Sequence, residues 1–121
     1  MNKGRKISGG KYHPERKKRK IEKAGKTTLA KLGKLKTKTL RMRGGDSKTF
    51  LLSSDTANLM IKGKCKKVKI KNVLETPANK FLARQNILIK GAIIETEAGK
   101  ARITNRPGQE ACVQAILVED K

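Results

Sequence analysis

Histidine, cysteine, acidic side chains and long apolar runs are all scarce in this 121-residue chain, and each shortage removes a class of function. The single histidine, His13, stands between Tyr12 and Pro14 with only Glu15 nearby, so no positioned general base is expected. Cys65 and Cys112 form no CxxC pattern. A structural zinc site needs about four Cys or His ligands, so neither a metal nor another cofactor is expected, and the cysteines read as ordinary reduced thiols. No apolar run approaches the ~18 residues of a membrane span, and the N-terminus lacks the apolar core of a secretory signal. The chain is therefore expected to stay inside the cell, without a membrane partner.

What is abundant is positive charge: 31 Lys and Arg against 10 acids, a formal net charge of +21. Its distribution is uneven. Residues 1–48 hold 18 of the cations and three acids (Glu15, Glu22 and Asp46), residues 49–90 hold nine and two, and residues 91–121 hold four and five. Self-repulsion at this density opposes compaction, and the natural counter-surface is a polyanion. Nucleic acid is the expected partner.

Along the chain, residues 1–38 combine five glycines with many lysines and few large apolar residues. Such a segment buries too little to offset its ordering entropy, so it reads as a basic extension that is disordered alone and ordered on RNA. Within it, Pro14 suits a first helical turn, Glu15 and Arg19 form an i,i+4 pair, and Gly25 would stop a helix that is too short to persist alone and would form mainly on contact. From residue 39 the pattern changes to short β-like runs, with strands predicted over 39–43, 48–53, 57–61, 66–74, 87–95, 100–105 and 111–118. Turn residues separate them at Gly44-Gly45-Asp46, Lys62-Gly63-Lys64, Glu97-Ala98-Gly99 and Arg106-Pro107-Gly108, the last fitting a type II turn. Thr76 and Pro77 predict a capped helical turn running toward Arg84. The expected fold is mainly β, a small antiparallel barrel of six to seven strands over 39–121, because closing the sheet removes exposed edges.

The clearest strand signal is Lys66-Lys67-Val68-Lys69-Ile70-Lys71. A period of two sends Val68 and Ile70 inward and puts Lys67, Lys69 and Lys71 on the other face, spaced about 6 to 7 Å, close to the phosphate spacing of a nucleic-acid strand. A solvated face that blocks edge pairing would look the same in isolation. Arg16-Lys17-Lys18-Arg19-Lys20 is a run of five cations without the apolar face of a membrane helix. Gly25-Lys26-Thr27 suggests a phosphate loop, but the pattern needs glycine at position 20, which is Lys20. Glu95 and Glu97 share a strand face beside a turn, where solvated carboxylates are ordinary. Nothing assembles a nucleophile, base and oxyanion donor, so no enzyme and no small-molecule substrate are expected. With only Tyr12, Phe50 and Phe81 as aromatics, base stacking is poorly supplied, and recognition of folded RNA by phosphate charge and shape is favoured. Packaging of duplex DNA would use the same electrostatics, but no exposed wedge or helix-turn-helix pattern supports it.

Several blocks together resemble a known family. Ser8-Gly9-Gly10-Lys11, then Pro14-Glu15-Arg16-Lys17-Lys18-Arg19-Lys20, then Arg41-Met42-Arg43-Gly44-Gly45, resemble the opening and joint of the eukaryotic-type small-subunit ribosomal protein eight family. The block from Ile89 to Thr96, followed by Gly99-Lys100-Ala101-Arg102-Ile103-Thr104-Asn105-Arg106-Pro107-Gly108-Gln109, is similar to its C-terminal region. The compact length is similar to the archaeal form. Asp46 departs from the asparagine usual in the family, and residues 26–35 follow its pattern loosely. The resemblance implies a non-enzymatic, cytoplasmic component of the small ribosomal subunit. It would be present as a monomer beside neighbouring ribosomal proteins, with a barrel docked on ribosomal RNA and a basic arm threaded into it. A related domain in an assembly factor shares the fold, so the fold alone does not separate the two roles.

On this reading the RNA-binding candidates in the extension are Lys3, Arg5, Lys6, Lys11, Arg16, Lys17, Lys18, Arg19, Lys20 and Lys23. Around the double-glycine joint they are Lys36, Lys38, Arg41, Arg43 and Lys48. The body adds Lys67, Lys69 and Lys71 on the predicted strand, Lys80 and Arg84 in the helical turn, and Arg106 in the last turn.

Overall fold

A computed structural model describes residues 4–13, 15–23, 25 and 27–118. Among them, nine strands form two sheets over one core. The strands are β1 (Ala30–Leu32), β2 (Lys36–Arg41), β3 (Ser47–Ser54), β4 (Thr56–Ile61), β5 (Lys64–Glu75), β6 (Ile87–Leu88), β7 (Ile93–Thr96), β8 (Gly99–Ile103) and β9 (Gln114–Leu117). Strands β4-β5-β7-β8-β9 close a barrel, and β2-β3-β1-β6 form a four-stranded sheet. The barrel expectation is met with five strands in the closed ring. Its closing pair, β4 with β9, is parallel, so the ring is not antiparallel throughout.

The ring follows from local chemistry. Ile61 pairs with Lys64 across Lys62 (φ 45°) and Gly63 (φ 79°), a two-residue turn with both central residues at positive φ, whose twist matches that of the flanking strands. Strand β5 is twelve residues long and shifts register between Ile70 and Asn72. That irregularity moves the inward set from Val68 and Ile70 to Val73, and it lets one strand bend from β4 to β7. Inside the ring, Leu59, Ile94 and Ile103 alternate with Ala57, Ala101 and Ala115, all buried. A five-stranded barrel has a narrow bore, and the alanines make room for the branched residues opposite them.

The second sheet joins this core through Ala30, Leu51 and Leu88. Here the structure departs from the sequence expectation. Strand β1 lies inside the stretch read as disordered extension, yet Ala30 is fully buried, and β1 sits between β3, which it pairs in parallel, and β6, which it pairs antiparallel. Strand β2 likewise begins before residue 39. The single strand expected over 87–95 is split into β6 and β7, because Gly91 (φ 84°) turns the chain from one sheet to the other. Gly91 N–H donates to Ile103 O at 2.8 Å, and Ile103 N–H to Ala92 O at 2.9 Å, which fastens that turn to β8.

Two further local expectations are corrected. The helical turn α1 (Lys80–Arg84) is capped by Asn79, whose Oδ1 accepts from Phe81 N–H at 2.9 Å, and not by Thr76. Thr76 is buried, and its hydroxyl donates instead to the Asn79 carbonyl. Pro107 and Gly108 form a 3-10 turn (Pro107–Gln109) and not a type II turn, and Gly108 does not take positive φ. Of the helix expected to form on contact between Pro14 and Gly25, the chain alone shows a 3-10 turn at Lys20–Glu22, and Pro14 itself lies outside the described residues. No helix among the described residues is long and apolar enough to cross a membrane.

Candidate nucleic-acid interface

Lys67, Lys69 and Lys71 project outward from β5, as the alternation requires once Ile70 is committed to the core. Lys67 stands beside Asn58 and Lys69 beside Thr56 of β4, both uncharged, while Lys71 lies beyond the end of β4, next to Asn72, which pairs with Glu95 of β7. Asn58 is in turn beside Gln114 of β9, so a cationic row continues into a polar row around the barrel. A depression lined by Leu35, Ser54, Thr56, Asn58, Lys67 and Cys112 connects this face to the start of β2.

Strands β2 and β3 form a ribbon exposed along all of β2. Lys36, Lys38 and Arg41 lie on β2, and Arg43 sits in the loop 42–46, where Gly44 (φ 91°) and Gly45 (φ 99°) make the reversal possible. Lys48 is half-buried, with its ammonium 5.8 Å from the Phe50 ring centroid and 3.5 Å from Gln109 Oε1. It is thus committed more to packing than the other ribbon cations. Phe50 is half-buried rather than wholly core.

In the N-terminal segment Arg5 and Lys11 form an antiparallel bridge, and Lys6 N–H donates to Gly10 O at 2.9 Å. Arg5 Nη1 donates to Gly9 O at 3.0 Å, and the Lys6 ammonium lies 5.6 Å from the Tyr12 ring centroid. The i,i+4 pair of Glu15 with Arg19 is replaced by a fork from Arg16 to Glu22, with Nη1 and Nη2 donating at 2.9 and 2.6 Å. Glu22 also accepts from Arg19 N–H at 3.0 Å. The Arg16 fork, followed by that backbone bond, holds the Glu22 carboxyl below its usual range, while Glu22 raises the Arg16 guanidinium above its own. Arg16 is therefore engaged, while Lys17, Lys18, Arg19, Lys20 and Lys23 remain exposed without such a fork.

Lys80 and Arg84 are exposed on α1, at a cleft against β5. Arg106 is exposed before the Pro107–Gln109 turn, beside the strap of residues 27–29. The candidate cations thus fall into separate groups and do not converge on one point. Lys3 and Lys26, the latter central to the phosphate-loop reading, lie outside the described residues. Arg102 of β8 and Lys90 lie outside the candidates drawn from the sequence, yet both are exposed at a groove with Ile116 and Val118. The alternation of Lys100-Ala101-Arg102-Ile103, with both apolar residues buried, was the signal for Arg102. Among the described residues no three His, Cys, Asp or Glu side chains gather into a possible metal site, and Cys65 and Cys112 are free thiols.

A small barrel with cations on its outer strands suits many nucleic-acid partners, and comparison with known sequences narrows it. The family model described as Ribosomal protein S8e matches residues 1–118. This chain belongs to the ribosomal protein S8e family. Proteins named "Small ribosomal subunit protein eS8" are similar to it over nearly their whole length. That of Methanocella arvoryzae is 47% identical over 116 residues, covering 94% of this chain and 93% of the relative. Those of Methanocorpusculum labreanum (43% over 117 residues, 95% and 94%) and Methanococcus aeolicus (46% over 119 residues, 96% and 93%) are similar to a like extent. The S8e match includes the N-terminal segment as well as both sheets, so the cationic elements belong to the family region and are not an appendage to it.

Proposed function

We propose that this chain is a structural protein of the small ribosomal subunit in the cytoplasm, and that it binds folded ribosomal RNA without catalysing a reaction. It would act as a single copy beside neighbouring ribosomal proteins. The residues before Ala30 are the arm that neutralises phosphates between packed RNA helices, and the β2–β3 ribbon and β5 row extend its footprint on the body. The observation that carries this reading is the outward row of Lys67, Lys69 and Lys71, the first two beside uncharged Asn58 and Thr56 of β4, and none of the three in an ion pair among the described residues. Membership of the S8e family supports it.

Counterion release supplies the test. Binding to a small-subunit RNA transcript should weaken with salt, log K falling by roughly 0.7 to 0.9 per phosphate contact per decade. Removing residues 2–25 spares β1 and should lower both affinity and slope. Replacing Lys67, Lys69 and Lys71 with Gln should lower the slope again by up to about 2 to 3. A slope unchanged by both alterations would refute the proposed footprint, and small subunits purified at high salt without this chain would refute the assignment.

A further inference from the structure

One part of the surface does more than present charge. Between the C-terminal half of β5 and α1 lies a cleft of about 530 Å³ lined in part by Asn72, Leu74, Glu75, Lys80, Arg84 and Asn86. That volume falls within the roughly 300–1,000 Å³ of sites that accept small organic groups. Its lining differs from the lysine row. It holds a carboxylate, two amides, two cations and an exposed leucine, and among the described residues Glu75 closes no ion pair with Lys80 or Arg84.

The cleft also contains a flat surface. Lys80, Ala83 and Arg84 turn toward it from α1, and Phe81 flanks Arg84 at the i,i+3 position. The Arg84 guanidinium carbon is 5.8 Å from the Phe81 ring centroid, within cation–π range, and Phe81 is 67% exposed. Beyond that contact the Arg84 guanidinium is exposed and free to take a second planar group. Nucleic-acid bases stack on arginine planes as well as on aromatic rings. The polar groups suit a base edge. Asn72 Oδ1 accepts from Val73 N–H at 2.9 Å, which fixes the amide and leaves its N–H groups to donate. Asn86, at φ 52°, adds a second amide to the lining from a backbone conformation that asparagine tolerates.

We infer that this cleft receives one unstacked base of an RNA strand, laid on Arg84. Phe81 is a positioning residue behind Arg84, Lys80 meets the flanking phosphate, and the Glu75 carboxylate accepts from the base edge. Guanine is preferred, because its N1–H and exocyclic N2–H donate side by side to one carboxylate. The inference rests on the RNA-binding reading above and deepens it, since scarcity of aromatics does not exclude stacking where arginine supplies the plane.

The test uses the full chain at about 0.15 M salt with three RNA hairpins: fully paired, with one bulged guanosine, and with one bulged adenosine. The wild type should bind the guanosine bulge about tenfold more tightly than the paired hairpin, within the range of base-stacking effects. Arg84→Lys keeps the charge and removes the plane, and should bring that preference to about twofold or less. Glu75→Gln should abolish the guanosine-over-adenosine difference while keeping a bulge preference. Equal wild-type binding of bulged and paired hairpins, or a full preference in Arg84→Lys, would overturn the inference. An acidic peptide that displaces RNA from wild type but not from Phe81→Ala would overturn it in favour of a peptide site. Failure of the paired hairpin to bind in a salt-dependent manner would instead strike the RNA-binding reading itself.

Discussion

Gly108 lies directly under the backbone of Thr28. A Cβ built on Gly108 would stand 2.1 Å from the Thr28 carbonyl oxygen and 3.2 Å from its carbonyl carbon. The glycine is needed here for close approach and not for a special φ. The strap it admits leads straight into β1, so a turn near the C-terminus sets where the N-terminal segment enters the fold.

Gly108→Ala should therefore lift residues 27–29 from the 3-10 turn. Backbone cannot yield as a side-chain tip can, and overpacking of this kind costs about 1–3 kcal/mol. Urea denaturation should show that loss, and hydrogen exchange at Ala30 and Leu32 should accelerate more than exchange at Ile94 or Ile103. Uniform acceleration across both sheets would contradict a local seat for the effect.

The Arg16–Glu22 fork makes the 3-10 turn at Lys20–Glu22 sensitive to acid. Glu22 is depressed in the folded state, chiefly by Arg16, so its contribution is fully present above its unfolded pKa and is lost as pH falls through the lower folded value. Amide shifts of residues 19–23 should stay constant from neutrality to about pH 5 and change below it, with high salt weakening the pair. Global stability should hardly depend on this pair, since both partners are at the surface. Glu22→Gln should remove the low-pH transition, and persistence of that transition in the variant would assign it elsewhere.

Leu59 and Met60 are consecutive on β4 but face opposite ways, Leu59 fully buried in the barrel and Met60 46% exposed beside Cys65 and Ile116. Leu59→Ala should cost about 2–5 kcal/mol from lost burial and a residual cavity. Met60→Ala should cost well under half as much. With native stability typically about 5–15 kcal/mol, the first change threatens folding and the second does not. Comparable losses in thermal unfolding would mean the strand does not hold this register.

Much of the body was legible in the sequence. The runs that became β3, β4, β5, β8 and β9 alternate or carry turn residues at their ends, and Lys62-Gly63 announces its own hairpin. Strand β1 was not legible. It has three residues, its neighbours Leu29 and Gly33 do not distinguish it from the basic segment around it, and both its pairing partners are distant in sequence. The split between β6 and β7 was masked because Ile87 to Ile94 reads as one apolar run, although Gly91 marks the break. Among site residues, the lysine row of β5 was legible from period two, whereas the cleft beneath Arg84 was not. Asn72, Glu75 and Asn86 meet there only because β5 bends and α1 folds back on it.

The sequence by itself determined the electrostatic character of this protein, the β class of its body and its membership of the S8e family, because charge, period two and turn residues are properties of neighbours along the chain. Only the tertiary structure decided that the ring closes through a parallel β4–β9 pair, that Ala30 belongs to the core, and that Gly108 must be glycine. Each of those depends on which distant backbones come to lie side by side, and local alternation does not encode that pairing.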